Sequence, residues 1–127
     1  RDVANDQVTM VRRDVLGQRQ TVPVANVVDA VQQELASIQA SLFQAARAML
    51  DRHTEDVRDY ERLKERVAMH AGFNRAFWCG SAECEARVKA ETKATIRCIP
   101  FDQPQEMEPC LVCGAPGRYQ VIWARAY

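Results

Sequence analysis

The sequence predicts an α/β (α+β) chain: one long amphipathic helix, followed by a small segment that combines a helix with an antiparallel sheet. Three observations predict it. Apolar residues recur at helical spacing from Val24 to Met49. The run Tyr119 to Arg125 alternates as a strand does, with Tyr119, Val121 and Trp123 on one face. All five cysteines lie within residues 79–113, so the second half follows a different building rule from the first.

Taken in order, residues 1–23 read as strand and turn. Gln7 to Arg12 mixes β-branched residues with alternation, and Asp14 to Gly17 supplies turn chemistry. Pro23 is then expected to open the long helix. Its apolar positions are Val24, Val28, Val31, Leu35, Ile38, Leu42, Ala45 and Met49, with gaps alternating between four and three. That seam suits a helix lying along its own domain or a coiled-coil dimer. Flanking residues such as Ala25, Gln32 and Gln39 offer few of the opposite-charge pairs that a coiled coil uses. The helix is expected to end near Arg52 and His53, where cations suit the negative end of its dipole. Thr54 is expected to cap a second helix with Glu55 and Asp56 in its first turn, Val57, Tyr60, Leu63 and Val67 on its apolar face, and Gly72 at its end. The domain boundary falls near residue 53, giving segments 1–53 and 54–127. Beyond Gly72 the pattern reads strand, cysteine loop, helix, strand, cysteine loop, strand. Ser81 caps a helix reaching Lys89, and Pro100 breaks the strand running from Thr95 to Phe101.

Composition narrows the function classes. The chain has 127 residues, 47% hydrophobic and 27% charged, which suits one small globular domain or a domain plus a piece of another. Seventeen Lys and Arg balance seventeen Asp and Glu, which disfavours a strongly basic nucleic-acid module. Arg12 and Arg13, and the cluster Arg87, Lys89, Lys93 and Arg97, suit phosphate contacts or a solvated surface alongside Glu83, Glu85 and Glu91. The longest apolar runs, such as Ala76 to Cys79, have four residues, far short of the roughly twenty a spanning helix needs. Arg1 to Asp6 leads into no signal-peptide core, and the missing initiator Met suggests a fragment or a processed product.

An odd number of cysteines without a secretion signal argues against a disulfide framework and for a reducing compartment. Cys79 and Cys84 form a C-x4-C pair, Cys110 and Cys113 a C-x2-C pair, and 25 residues separate the pairs. Two loops supplying two thiolates each is the usual tetrahedral solution for structural zinc, so Cys79, Cys84, Cys110 and Cys113 are the predicted ligands. Gly114, directly after Cys113, permits a tight turn that aims backbone N–H groups at sulfur. Cys98 fits neither pair and is expected to be a buried thiol in its strand. His53 and His70 are expected on helix surfaces. A thioredoxin-like role for Cys110 and Cys113 is disfavoured because no βαβ unit is expected around them. Four thiolates leave no open coordination position, so the zinc is structural rather than catalytic. The sequence carries no nucleophile–base pair, phosphate-cradling glycine loop or paired-carboxylate motif.

Read together, these residues are similar to the C-terminal end of a prolyl-tRNA synthetase of the archaeal and eukaryotic type, a form some bacteria also carry. Arg1-Asp2-Val3, Val11 to Asp14, and Glu34 to Gln39 with Leu42-Phe43 resemble the last part of that family's anticodon-binding domain. Trp78-Cys79-Gly80, Cys84-Glu85, Arg97 to Phe101, Cys110-x-x-Cys113-Gly114 and the closing Ala124-Arg125-Ala126-Tyr127 resemble its C-terminal zinc domain. The resemblance implies that 1–53 ends the anticodon-binding domain and that 54–127 is a zinc-stabilised appendage. It implies a cytoplasmic, homodimeric class II ligase that activates proline with ATP and Mg2+ and transfers it to proline tRNA. The catalytic motifs of that class are absent from this segment, so it has no catalytic residue of its own and the isolated fragment is expected to be inactive. It also implies that the Tyr127 carboxylate reaches toward the active site, although packing of Tyr127 on its own sheet explains the same aromatic terminus. Two other classes stay open: a free-standing zinc-ribbon nucleic-acid-binding module, and a helical dimerisation protein built on the Val24 to Met49 seam.

Overall fold

A computed structural model describes residues 3–126, so the expectation for Tyr127 lies outside the described residues. Two compact units make up the chain, Arg1–Met49 and Leu50–Tyr127.

In the first unit, strands β1 (Gln7–Val11) and β2 (Arg19–Pro23) form an antiparallel hairpin in which Val8 faces Val22. Strand β2 is the element that the sequence pattern hid, because Arg19, Gln20 and Thr21 are exposed and only Val22 is buried. Pro23 ends this strand instead of opening the helix. A 3-10 turn, Val24–Asn26, follows it, held by Val24 N–H donating to the Asp6 carbonyl at 3.0 Å. Helix α1 (Val27–Arg52) then runs for 26 residues without one buried side chain. Arg12 joins hairpin to helix. Its guanidinium grips Asp14 at 2.7 Å and donates to Glu34 at 3.1 Å and to the Ser37 hydroxyl at 2.8 Å.

The second unit corrects three expectations. Thr54 does not cap a helix; it begins strand β3 (Thr54–Asp56), and its hydroxyl donates to the Leu50 carbonyl at 2.8 Å. Asp59 is the cap of helix α2 (Tyr60–Ala68), accepting from Arg62 N–H at 2.9 Å. Glu55 and Asp56 are used differently, pairing with Arg66 and with Arg75 across the sheet. Strand β4 (Phe73–Trp78), helix α3 (Ala82–Thr92), strand β5 (Ala94–Cys98) and strand β6 (Tyr119–Arg125) complete the unit. The sheet order is β3-β4-β6-β5, with β3 parallel to β4 and β6 antiparallel to both neighbours. The sheet is therefore mixed, not purely antiparallel. It contains the βαβ connection β3–α2–β4, and β4–α3–β5 is a second crossover with β6 inserted between its strands. The expectation that no βαβ unit stands near the cysteines is corrected accordingly; Cys110 and Cys113 lie in the separate β5–β6 connection.

Both helices pack on the sheet face that carries Ala76, Val121 and Trp123, where Leu63, Val67 and Val88 close the core. Beside it, Arg66 is buried with its charge divided among the Asn74 side chain at 2.6 Å, the Ala71 carbonyl at 2.8 Å, and Glu55. A buried guanidinium is tolerated only when its donors are satisfied in this way.

Candidate metal centre

The four predicted cysteines come from three kinds of backbone. Cys79 follows directly from the end of β4, and Cys84 sits in the first turn of α3. Ser81 caps that helix by accepting from Glu83 N–H at 3.1 Å, which fixes the angle at which the chain turns from strand to helix. The Trp78 indole N–H donates to the Ser81 carbonyl at 3.1 Å and braces the same turn from the core side. Cys110 and Cys113 arrive from far along the chain, in the tight turn of the β5–β6 connection.

Backbone hydrogen bonds bring the second pair to the first. Leu111 N–H donates to the Phe77 carbonyl at 3.0 Å and Arg118 N–H to the Trp78 carbonyl at 2.8 Å, so the loop is fastened on both sides to the strand that ends at Cys79. Cys110 N–H donates to the Ala115 carbonyl at 2.7 Å and Gly114 N–H to the Cys110 carbonyl at 2.9 Å, closing the loop on itself. Gly114 has φ +71°, the left-handed conformation that such a turn requires. Gly117 answers a different need: a Cβ there would lie 2.2 Å from the Glu108 carbonyl oxygen, so only glycine allows the two arms of the loop to close.

The sulfurs of Cys79, Cys84, Cys110 and Cys113 all lie within 4.8 Å of one another. Cys79 Sγ is 3.6 Å from Cys84 Sγ and 3.8 Å from Cys113 Sγ. A tetrahedral ion bound at about 2.3 Å from each thiolate requires sulfur separations of about 3.8 Å, so the donor set fits a thiophilic metal ion. No disulfide competes, since all five cysteines are free. Burial, assisted by the neighbouring thiols, pushes the Cys84 thiol up. Burial also raises Cys110, but the backbone N–H groups of Cys113, Val112 and Cys79 more than offset it and bring that thiol down to about 7. Four thiolates at this distance repel one another, and a divalent cation reverses that penalty.

Other sequence expectations fall out separately. Cys98 stands outside the cluster, as expected, but it is exposed rather than buried. The register of β5 on β6 shifts between Ile96 and Cys98, a bulge that interrupts the alternation which would have placed Cys98 on the inner face with Ile96. His53 and His70 are exposed and away from the cluster. What sequence reasoning missed is the support around the sulfurs: Trp78, the β4 carbonyls and Gly117. Of these, Gly117 was the one visible signal, a second glycine three residues after Gly114. Among the described residues, no helix is long and apolar enough to cross a membrane.

Comparison with known proteins bears on this cluster and on the whole chain. The family described as "Prolyl-tRNA synthetase, C-terminal" matches residues 60–127, which include all four clustered cysteines. The chain is 42% identical over 129 aligned positions to a protein of Chloroflexus aurantiacus named proline–tRNA ligase, a match that covers 100% of this chain and 26% of that protein. It is similar at 43% identity to the proline–tRNA ligase of Chloroflexus aggregans and at 38% to that of Oceanobacillus iheyensis, with the same coverage. The chain thus spans about a quarter of the length of the curated relatives it matches. A match over more than half the chain that contains the entire sulfur cluster establishes the relationship: the chain belongs to the prolyl-tRNA synthetase C-terminal family.

Proposed function

We propose that this chain is the C-terminal part of a proline–tRNA ligase, and that it serves the enzyme as a zinc-stabilised appendage without catalytic groups of its own. The observation that carries the reading is the four-sulfur cluster inside the segment matched by the family. Cys79, Cys84, Cys110 and Cys113 hold Zn2+ with no coordination position open to a substrate, so the ion fixes structure. Bound zinc joins the end of β4, the start of α3 and the β5–β6 loop at one point. The apparent binding energy of such sites, about 10–16 kcal/mol, is comparable to the stability of a whole small domain.

In this reading residues 1–53 end an anticodon-binding domain and residues 54–127 form the zinc domain. The parent is a cytoplasmic homodimer of the archaeal and eukaryotic type, acting on proline, ATP with Mg2+, and proline tRNA. The Tyr127 carboxylate orders groups near the catalytic pocket without reacting. A polypeptide of the relatives' length that contains this chain is expected to catalyse proline-dependent exchange of pyrophosphate into ATP and to charge proline tRNA, whereas the 127 residues alone catalyse neither. Absence of proline-dependent exchange in the long polypeptide would overturn the assignment. Deleting Tyr127 from it should lower proline activation while zinc content and melting temperature hold; unchanged kinetics would reduce Tyr127 to a packing residue.

A further inference from the structure

The segment between β5 and the second cysteine pair presents one side chain to solvent from a fixed support. After the bulge at the end of β5 the chain runs Ile99-Pro100-Phe101-Asp102-Gln103. The Gln103 side chain takes the place of a strand neighbour: its amide nitrogen donates to the Pro100 carbonyl at 2.6 Å and the Gln120 carbonyl at 3.1 Å, and its oxygen accepts from Gln120 N–H at 2.7 Å. The turn is thereby tied to β6, in the middle of the sheet. Phe101, inside this tied turn, is 104% exposed, and Ile99 beside it is 44% exposed. A single exposed apolar residue is ordinary on a loose loop. Here the backbone that carries it is clamped in three hydrogen bonds, so the ordering cost of a docked state has already been met.

From this arrangement we infer that Phe101 is a docking anchor, and that its receptor is an apolar pocket with a basic rim in the polypeptide preceding Arg1. The inference rests on the reading of the chain as the C-terminal quarter of a longer enzyme. Charge decides against RNA as the occupant. Residues 99–109 contain Asp102 and Glu106, with Glu108 paired to Arg58 at 2.9 Å, and no Lys or Arg, so a phosphate backbone would be repelled where Phe101 could stack. Area decides against a separate protein. One Phe buries about 150–250 Å2, whereas a stable interface between free partners needs about 800 Å2 from each. A tethered segment faces no such demand, because covalent linkage supplies a local concentration on the order of millimolar. The relatives provide that tether: the matched region is 26% of their length, in the C-terminal part of the family.

The test uses the long polypeptide with a benzophenone amino acid at position 101, prepared by unfolding and refolding equal amounts of light and heavy isotope-labelled copies together, so that any dimers include mixed ones. Irradiation is expected to give cross-links within one copy, light to light and heavy to heavy, to residues preceding Arg1. Phe101→Ala should raise amide exchange across residues 99–109 by about tenfold, and Phe101→Leu should restore most of the protection. Light-to-heavy cross-links, cross-links to added proline tRNA, or no cross-link at all would each overturn the inference. Proline-dependent exchange, assayed on the same preparation, separates the two readings. Its loss with the cross-link intact removes the ligase assignment, and its retention without the cross-link removes the docking role.

Discussion

Among residues whose burial is described, the first unit buries one hydrophobic side chain, Val22, while the second buries Leu63, Val88, Val121 and Trp123 to 0% exposure. The first unit nevertheless contains most of the longest element, α1, whose apolar seam leaves Val28 at 64%, Leu35 at 61% and Met49 at 56% exposure. The contrast shows that a regular apolar pattern and a core are different things. In α1 the pattern is complete, but the hairpin of its own unit covers it only in part: Arg12 bonds to Glu34 and Ser37, and Met10 and Val11 line an open cavity with Val31, Leu35 and Ile38. In the second unit the patterns are short and broken, yet two helices close over one sheet face and a four-sulfur cluster joins its ends.

The largest expected break in this contrast is removal of the metal. Cys110→Ser should lose the ion and unfold residues 73–127, because the binding energy of about 10–16 kcal/mol exceeds what so small a core supplies. Cys98→Ser should keep full zinc. Metal analysis with circular dichroism of both variants checks this, and equal loss in the two would assign the ligands wrongly. Next in size is a matched truncation in each unit. Leu63→Ala, at a fully buried position, should cost about 2–5 kcal/mol, whereas Leu35→Ala should change stability by less than about 0.5 kcal/mol in this chain. Denaturant unfolding reads both, and a large cost at Leu35 would mean that the α1 seam is already covered.

Smaller still is the cap that sets the cluster's geometry. Ser81→Ala should cost about 1 kcal/mol and loosen zinc retention against a chelator, while Ser81→Asp should retain the cap. The smallest effect concerns Tyr60, which links the two helices of the second unit by donating its hydroxyl proton to Glu91 at 3.0 Å. Burial first, and the Glu91 bond second, raise its phenol from 10.0 to about 12. A raised acid holds its proton longer in the folded state, so this contribution is present below pH 10 and is lost as pH climbs from 10 toward 12. Ultraviolet titration of the phenolates should show a late component that Tyr60→Phe removes.

Much of this was legible in the residues. Cysteine spacing named the four clustered sulfurs, because short C-x4-C and C-x2-C steps constrain where each pair can point. Ser81 as a cap and Tyr119 to Arg125 as a strand followed from local chemistry alone. The failures share a cause. Thr54, Glu55 and Asp56 read as a helix start, since a hydroxyl followed by two acids is the local signature of one. Their pairing with β4 depends on Arg66 and Arg75, which lie beyond any local window. Strand β2 has one buried residue and no pattern without its partner β1. Cys98 shares a strand face with Ile96 by counting, until a bulge against β6 changes the count.

By itself, then, the sequence determined the four clustered cysteines, the seam of α1 and the Ser81 cap, all of which rest on patterns spanning a few residues. The tertiary structure alone decided that β3 is a strand, that the sheet is mixed, and that the second cysteine loop lies against the end of β4. Each of those outcomes is set by hydrogen bonds between backbone groups far apart in the chain, and every residue carries the same backbone donor and acceptor, so no residue type announces them.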